Sequence, residues 1–415
     1  MMQSTPKSLR LQIALMGRTN VGKSTFLNQV TGQDVAITSP QPGTTTDVVE
    51  KPMELLPLGP VIFLDTAGID DRTVLARERI DRTHRVFDRA DVVVLLCEAD
   101  QFDVPENDIL RMAAERNIPG IIAVTQADRQ SPSPAFMAQL RKLELPVLVA
   151  SSLNPADRDL LLCDLRAALL KVCPETFLRP PPLLGDLLPP GGLVVMVVPI
   201  DLQAPKGRLI LPQVQALRDT LDNDAAALVV KERELAFRLG QLRSLPDLVV
   251  CDSQVVLKMV ADTPPDVPCT TFSILFARMK GDLQRLAAGA AAIDELRDGD
   301  RILIAESCTH HPLEDDIGRV KIPRWLRQYT GAALNIEHCA GRDFPADLAG
   351  YRLVIQCGGC MQNRREVLSR LDRARAAGVP ITNYGLCIAQ TQGVLRRVLS
   401  PFPAALAALD IAARN

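Results

Sequence analysis

The stretch Gly17-Arg-Thr-Asn-Val-Gly-Lys-Ser24 follows an apolar run, Leu11–Met16, and opens a helical pattern. Its glycines permit a tight loop whose backbone N–H groups face phosphates. Lys23 would reach the β- and γ-phosphate oxygens, and the Ser24 hydroxyl would ligate Mg²⁺. The complete spacing between a strand and a helix predicts a P-loop, with nucleotide contacts from Gly17, Asn20, Val21, Gly22, Lys23, Ser24 and Thr25.

Further motifs follow in the order that a GTPase requires. Pro42-Gly-Thr-Thr-Thr-Asp47 suits a switch loop that closes on Mg²⁺ and the γ-phosphate, and in Asp65-Thr-Ala-Gly68 the aspartate would hold Mg²⁺ while the glycine N–H senses the γ-phosphate. Thr125-Gln-Ala-Asp128 and Ser151-Ser152 stand where guanine is read. The predicted nucleotide contacts are Thr44, Thr45, Thr46, Asp65, Gly68, Thr125, Gln126, Asp128, Ser151 and Ser152. Of the site residues, Lys23, Thr45, Asp65 and Gly68 are predicted to be catalytic, and Ser24 and Thr45 to ligate magnesium.

Short apolar runs alternate with helical patterns along the rest of the chain, which predicts parallel sheets covered by helices. We expect an α/β protein of three domains: a P-loop GTPase sheet of Rossmann type in residues 1–175, and two smaller open α/β domains in residues 176–265 and 266–415. Proline-rich stretches near residues 179–192 predict a linker after the first domain. The predicted strands are Leu11–Met16, Val61–Leu64, Val92–Cys97, Ile121–Thr125, Val147–Ala150, Leu193–Val198, Ala226–Val230, Leu248–Cys251, Arg301–Ala305, Tyr351–Gln356 and Pro380–Asn383.

The composition is that of an ordinary globular protein. The 415 residues are 47% hydrophobic and 23% charged, with a net charge of -2 and 4% aromatic residues. This balance gives no general attraction to nucleic acid or to an anionic membrane, and the longest apolar run, Gly191–Pro199, is too short to span a bilayer. Ten cysteines without a secretory signal favour buried thiols and metal ligands over disulfides. We expect a cytoplasmic protein with neither a nucleic-acid nor a membrane partner.

Residues 10–172 resemble the Era and tRNA-modification branch of the translation-factor-related GTPases. Thr125 and Gln126 replace the asparagine and lysine usual there, so guanine selectivity should be weaker, and Ser152 replaces a usual alanine. Ile69 stands where Ras-like enzymes place a glutamine, so intrinsic hydrolysis should be slow. Asn20 matches the residue that helps to hold an activating K⁺, which implies K⁺-stimulated hydrolysis; a loop-stabilising amide is the alternative.

Two cysteine groups each follow a predicted strand: Cys308-Thr-His310-His311 and Cys357-Gly-Gly-Cys360. Such positions meet at the carboxyl edge of an α/β sheet, where ligands bind. Three thiolates suit a [4Fe–4S] cluster with one open corner, three thiolates with His310 suit zinc, and unliganded or redox thiols are a third possibility. We expect the remaining cysteines to be buried small hydrophobes, with Cys339 in a short loop and Cys163 on a helix. Cys387 lies near the same predicted sheet edge and stays ambiguous.

The order of a GTPase domain, Cys-x-His and then Cys-x-x-Cys resembles HydF, the family of GTPase maturation factors of [FeFe]-hydrogenases. The stretches Pro199–Gln213 and Thr270–Asp282 are similar to that family as well. The resemblance implies that Cys308, Cys357 and Cys360 hold the cluster and that His310 matches the first family histidine. Gln356 takes the place of the second histidine. The fourth iron would then be held by His310, by a carboxylate such as Asp201, or by an exchangeable ligand, which we favour.

The resemblance implies a carrier that binds a diiron precursor and delivers it to apo-[FeFe]-hydrogenase, with two radical-SAM maturases as further partners. GTP hydrolysis would act as a switch for these contacts. The middle segment resembles the family's dimerisation domain, so we expect a homodimer, with Leu193–Val198 and Ala226–Val230 as candidate pairing strands.

Two other functions fit parts of the sequence. A zinc-stabilised regulatory GTPase would use the cysteines as a structural site, but such a site needs four good ligands. An RNA- or ribosome-associated GTPase of the Era type would need a basic recognition module, whereas the C-terminal half is neutral and poor in aromatic residues.

Overall fold

The computed structural model describes residues 6–32, 49–66, 83, 85–151, 155–179, 181–199, 209–307, 316–341 and 343–414. The chain forms two compact units, Met1–Pro180 and Pro181–Asn415. Their boundary falls within the proline-rich stretch that the sequence predicts as a linker.

Strands and helices alternate through both units. The described strands are β1 Leu11–Gly17, β2 Val49–Leu55, β3 Gly59–Asp65, β4 Val92–Glu98, β5 Gly120–Thr125, β6 Val147–Val149, β7 Leu193–Val197, β8 Ala226–Val230, β9 Leu248–Cys251, β10 Cys269–Thr271, β11 Arg301–Ala305, β12 Asn335–Cys339, β13 Leu353–Gln356 and β14 Ile381–Asn383. The described α-helices are α1 Lys23–Thr31, α2 Val104–Glu115, α3 Pro134–Arg141, α4 Pro155–Val172, α5 Glu175–Leu178, α6 Leu211–Asp222, α7 Leu235–Leu239, α8 Val256–Asp262, α9 Phe272–Lys280, α10 Leu283–Ala291, α11 Ile322–Thr330, α12 Arg364–Ala376, α13 Tyr384–Thr391, α14 Leu395–Val398 and α15 Pro403–Ala412.

In the described part of the first unit, one sheet has the order β2-β3-β1-β4-β5-β6. Strands β1, β4 and β5 are almost wholly buried because helices cover both faces, and a separate hydrophobic cluster lies on each face. The antiparallel edge strand β2 was not predicted. Its sequence, Val-Glu-Lys-Pro-Met-Glu-Leu, contains three charges and a proline that only an edge position tolerates.

The second unit contains two four-stranded parallel sheets in its described residues, with the orders β10-β9-β7-β8 and β12-β11-β13-β14. One hydrophobic cluster, running from Leu183 to Leu409, packs against both sheets. The α/β fold class is confirmed, while a domain boundary near residue 265 stays a prediction. Strand β7 pairs with both β8 and β9, so its expected pairing with another copy is wrong. Of the two strands expected to pair between copies, β8 is the one at an edge of the sheet.

The carboxyl edge of the last sheet collects residues from all four of its strands. Ser307 follows β11, Cys357 follows β13, Tyr384 follows β14, and Cys339 ends β12. The prediction of a short loop at Cys339 is wrong, because this exposed edge strand lacks an apolar run. The prediction that Cys163 is buried is also wrong, since it lies on the exposed side of α4. Cys387 is buried within α13.

Candidate functional site

The loop after β1 has the backbone shape of a phosphate-binding loop. A Cβ on Gly17 would lie 2.5 Å from the Leu96 carbonyl oxygen, so only glycine fits there. Asn20 and Gly22 have φ angles of 65° and 91°. This turn leads into the N-terminus of α1, where free N–H groups and the helix dipole favour an anion. The Nζ atom of Lys23 donates to the carbonyl oxygens of Gly17 at 3.1 Å and Arg18 at 2.7 Å.

Two of the residues predicted to hold magnesium, Ser24 and Asp65, meet at the ends of adjacent elements. Asp65 ends β3, and the Ser24 hydroxyl at the start of α1 donates to its Oδ2 atom at 3.4 Å. Burial raises the pKa of Asp65, although the Lys23 charge and the Ser24 hydroxyl act in the opposite direction. A hard cation prefers such oxygen ligands and would stabilise the half-buried carboxylate. These residues therefore fit Mg²⁺.

The base-reading segment is bonded to the P-loop through its two unusual residues. The Thr125 hydroxyl lies 2.6 Å from the Val21 carbonyl oxygen and 3.1 Å from that of Cys97. The Nε2 atom of Gln126 donates to the Asn20 carbonyl oxygen at 3.1 Å and to Glu98 at 2.9 Å. Threonine and glutamine thus connect this segment to the P-loop by hydrogen bonds to its backbone.

The rest of the predicted guanine pocket lies next to this segment. Asp128 is half-buried in the turn after β5. The Ala127 N–H donates to the Ala150 carbonyl oxygen at 3.2 Å, which brings this turn beside Ser151. The Ser151 carbonyl oxygen accepts from Gln29 of α1 at 2.5 Å. Residues from the ends of β5 and β6 therefore share one edge of the sheet with the P-loop, whereas Thr25 is exposed on α1.

The sequence did not single out Arg18, which fixes the outer side of the P-loop. Its guanidinium donates to Glu106 at 2.7 and 2.9 Å and to Asp103 at 3.1 Å. The Glu106 side chain is only 1% exposed. Burial alone would raise the pKa of Glu106, but hydrogen bonds from Arg18 and the Asp103 N–H hold it below the ordinary value. The capping box Asp103-Val-Pro-Glu106 was a signal that could have located this contact.

Several predicted site residues lie outside the part of the chain that the structure describes. These are Thr44, Thr45, Thr46, Gly68, Ser152, Cys308 and His310. Their assigned contacts stay predictions.

The second candidate site lies at the carboxyl edge of the last sheet. Cys357 follows β13 directly, and Cys360 is three residues further on, after Gly359 with a φ of 62°. The Ser307 N–H and hydroxyl lie 3.1 and 2.8 Å from the Cys357 sulfur. Ser307 immediately precedes Cys308 in the sequence. Ser307 and the Cys-x-x-Cys loop, 50 residues apart in the chain, therefore meet at one edge of the sheet.

Polar residues behind the thiols connect the two strand ends. In the amide orientation that satisfies both its polar atoms, Gln362 donates to Ser307 Oγ at 2.9 Å and accepts from Arg370. Arg370 is 6% exposed, stacks on Phe344 and donates to the Gly341 carbonyl oxygen. Burial lowers its pKa, and the thiol groups of Cys357 and Cys339 act in the opposite direction. Positive charge therefore lies near the sulfur atoms.

The donor set suits a thiolate-bound metal. Among the described residues no group of three histidine, cysteine, aspartate or glutamate side chains is placed to hold a metal ion. Cys357 and Cys360 supply two donors, and a third would have to come from the segment that begins at Cys308. Burial raises the pKa of the Cys360 thiol, and Cys357 acts in the same direction. Such a thiol ionises when a cation binds it. No helix in the described ranges is long and apolar enough to cross a membrane.

Family models match three parts of the chain. Residues 12–126 match the 50S ribosome-binding GTPase model. Residues 183–281 match the hydrogen maturase F dimerization domain, and residues 284–401 match the hydrogen maturase F tetramerization domain. The two maturase models together cover more than half of the chain. The chain belongs to the hydrogen maturase F family. The resemblance to HydF, with a GTPase domain of the Era and tRNA-modification class, is confirmed.

Curated relatives match the GTPase part of this HydF protein. The tRNA modification GTPase MnmE of Zymomonas mobilis is 36% identical over 110 residues, which are 26% of this chain and 25% of the relative. MnmE of Prochlorococcus marinus strain NATL1A is 32% identical over 169 residues, or 39% of this chain and 34% of the relative. The chain thus spans about a quarter to a third of the length of these relatives.

Solved structures are more distant. Era of Aquifex aeolicus bound to GDP.AlF4- has a TM-score of 0.34 and 21% identity, covering 53% of this HydF chain and 93% of Era. The FeoB domain of S. thermophilus bound to GDP.AlF4- and K⁺ has a TM-score of 0.30 and 21% identity, covering 38% and 60%.

Proposed function

We propose that this HydF protein is a GTP-hydrolysing carrier that binds a [4Fe–4S] cluster and delivers a diiron unit to apo-[FeFe]-hydrogenase. Its own residues divide the work between the two sites described above. The observation that carries the proposal is the pair of bonds between Ser307 and the Cys357 sulfur, because it joins the segment before Cys308 to the Cys-x-x-Cys loop.

At the nucleotide site, Lys23 would neutralise charge on the β- and γ-phosphates, and Ser24 with Asp65 would hold Mg²⁺. Asp128 would accept from the guanine N1 and N2 groups. Asn20 would help to hold K⁺, and equal turnover in NaCl and KCl would contradict that assignment. Thr45 and Gly68 keep their predicted catalytic roles as parts of the two switch segments.

At the cysteine site, Cys308, Cys357 and Cys360 would hold three iron atoms of the cluster. A bound cluster supplies one-electron chemistry and, at an iron without a cysteine, an attachment point for a second iron unit. Gln356, which stands in place of the family histidine, is 3% exposed. An exchangeable ligand at the fourth iron is therefore our choice over a ligand from position 356, with His310 and Asp201 as the other candidates.

The nucleotide would act as a switch for partner contacts, with apo-hydrogenase and two radical-SAM maturases as the partners. Loops that close on the γ-phosphate and open after hydrolysis are a general device of GTPases. Cluster transfer measured with GTP, GDP and no nucleotide tests this role. Equal transfer rates in the three states would contradict it.

Self-association is supported by the matches to dimerization and tetramerization models. We infer a homodimer that uses β8, because this strand lies at an edge of its sheet in the described part of the chain and Val229 is 42% exposed. A two-fold axis would pair β8 with its copy in antiparallel fashion. Light scattering decides this point, and a strict monomer that persists at high concentration would contradict it.

The decisive experiment for the carrier function is anaerobic reconstitution with iron and sulfide, followed by EPR after reduction. Wild type and Cys163→Ala should show a reduced [4Fe–4S] signal that Cys357→Ala loses. Cys163 is a matched control because it is an exposed cysteine on α4. A colourless protein with one tightly bound zinc would contradict the cluster and support a zinc-regulated GTPase instead.

A further inference from the structure

A buried lysine lies beneath the Cys-x-x-Cys loop. Lys280, at the end of α9, is 3% exposed. Its Nζ atom donates to three backbone carbonyl oxygens: Gly359 at 3.0 Å, Cys360 at 3.3 Å and Gln362 at 2.9 Å. These three carbonyls belong to a stretch of four residues, so one ammonium group fixes the direction of the loop that carries both thiols.

A side chain that follows the cysteine loop also donates back to the end of α9. Arg364, the first residue of α12, donates to the carbonyl oxygens of Met279 at 2.7 Å and Gly281 at 3.3 Å. Those two carbonyls flank Lys280 in the sequence. Five hydrogen bonds therefore join the end of α9 and the cysteine loop in both directions, across about eighty residues of chain.

The charge on Lys280 calls for an explanation beyond loop geometry. Its three hydrogen-bond partners are neutral carbonyl groups, and the ring of Phe276 lies 5.5 Å away. Burying an ammonium group that bonds to neutral carbonyl groups is unfavourable. The acidic groups near it are the Cys360 and Cys357 thiols of the loop and the Glu366 carboxylate. Thiolates bound to a cluster would add negative charge beside the ammonium group.

The peptide groups of the loop are oriented so that they, like Lys280, favour negative charge on the sulfur atoms. Its carbonyl oxygens face Lys280, while the backbone N–H groups of Met361 and Cys360 interact with the Cys360 sulfur. N–H groups and positive charge near cluster sulfurs stabilise the more negative, reduced state and raise the reduction potential. The loop and its lysine therefore favour electron density on whatever metal the thiolates bind.

We propose that Lys280 is a positioning residue that holds the Cys357–Cys360 loop in its metal-binding shape and, through its charge, raises the reduction potential of the bound cluster. This inference rests on the proposed function, since it requires that a cluster binds. It assigns to the end of α9 a role in the cysteine chemistry that no cysteine or histidine motif reveals.

The test compares three substitutions of Lys280 with a control in the reconstituted full chain. Lys280→Gln removes the charge but keeps donors, Lys280→Met removes both, and Lys280→Arg keeps the charge. Lys258→Met is the control, because Lys258 is an exposed lysine of the same unit that pairs with Asp262. Iron and sulfide content reports loop geometry, and an EPR-monitored redox titration reports the potential.

We expect Lys280→Gln to disfavour reduction about tenfold, which corresponds to about 59 mV for a one-electron couple. Lys280→Arg should keep the wild-type potential, and Lys280→Met should lose most of its iron while Lys258→Met changes neither quantity. A Lys280→Gln cluster with the wild-type potential would overturn the charge role. A folded Lys280→Met with full iron content would overturn the positioning role.

Three further outcomes complete the test and keep the inference separate from the proposed function. If Lys280→Met does not fold, as judged by circular dichroism, the iron content of Lys280→Gln decides the positioning role, because a neutral side chain of similar polarity reaches fewer carbonyls. If wild type itself binds no iron–sulfur cluster, both proposals fail. If wild type binds the cluster and the Lys280 variants match it in iron content and reduction potential, only the role of Lys280 is overturned.

Discussion

The P-loop and the cysteine loop occupy equivalent places in two sheets, yet they are held in different ways. Each follows a parallel strand, β1 or β13, at the carboxyl edge of its sheet. The P-loop is held by its own lysine, since Lys23 bonds to carbonyls only five and six residues earlier in the chain, and Thr125 and Gln126 add bonds to its backbone. The cysteine loop depends on Lys280 and Arg364, whose bonds connect residues about eighty positions apart.

This difference separates what a motif encodes from what tertiary structure adds. A loop whose shape follows from its own glycines and lysine works wherever a strand and a helix flank it. A loop held by distant cations works only in one packed context. Substitutions within the P-loop should therefore impair it most, whereas substitutions far away in the sequence should impair the cysteine loop.

The largest expected effect comes from the P-loop itself. Lys23→Ala removes the cation that would meet the developing charge on the phosphates, so GTP hydrolysis should fall about 10²- to 10³-fold. Steady-state phosphate release measures this, with the exposed Lys142→Ala as the control. Because the two loops are held independently, the variant should take up as much iron as wild type. A loss of iron in Lys23→Ala would contradict that independence.

The P-loop also has distant contacts, and the bond between Arg18 and Glu106 makes the comparison sharper. Glu106→Gln weakens the charged bond to Arg18 at a side chain that is almost fully buried. We expect the free energy of unfolding to fall by about 2 kcal/mol at pH 7, measured in urea. Asp108→Asn, in the exposed pair with Arg111, should change it by less than about 0.5 kcal/mol.

The effect of Glu106 should depend on pH in a defined direction. Its pKa is held below the ordinary glutamate value, so its contribution to stability is complete above about pH 4.3 and is lost as the pH falls through the lower, folded-state value. The difference between wild type and Glu106→Gln should therefore shrink in acid. A difference that grows as the pH falls from 5 to 3 would show that another group is responsible.

The sequence supports some of these features far better than others. The P-loop, the proximity of Ser24 to Asp65 and almost all apolar strands were predictable, because local spacing and hydrophobic runs determine them. Lys280 was not, because its burial is a product of packing and a lysine at a helix end reads as exposed. Strand β2 and Cys339 were missed for a related reason, since edge strands carry polar residues and lack a continuous apolar run.

The base-reading segment shows a subtler limit. The sequence reveals that Thr125 and Gln126 replace an asparagine and a lysine, and from this it predicts a loss. Only the structure shows the hydrogen bonds that the replacements make to Val21 and Asn20. A sequence shows that a residue has been replaced, but it does not show the contact that the new residue makes with a residue more than 100 positions away.

The smallest expected effect tests that contact. Gln126→Ala removes the donor to the Asn20 carbonyl oxygen and the bond to Glu98. One hydrogen bond contributes about 1 kcal/mol, so the affinity for GDP should fall about fivefold in a fluorescence titration. Gln130→Ala is the control, because Gln130 is exposed and its side chain donates to the exposed Asp100. Gln126→Lys should bind at least as well as wild type.

The affinities for GDP and ADP together show whether Gln126 supports the P-loop or recognises the base. Its bonds lead to the P-loop and to β4, and we propose Asp128 as the residue that reads the base. Gln126→Ala should therefore weaken GDP and ADP by the same factor and leave their ratio unchanged. A fall in the ratio would mean that position 126 reads the base directly. An unchanged affinity for both nucleotides would mean that the P-loop keeps its shape without this contact, which would make its stabilisation even more local than we infer.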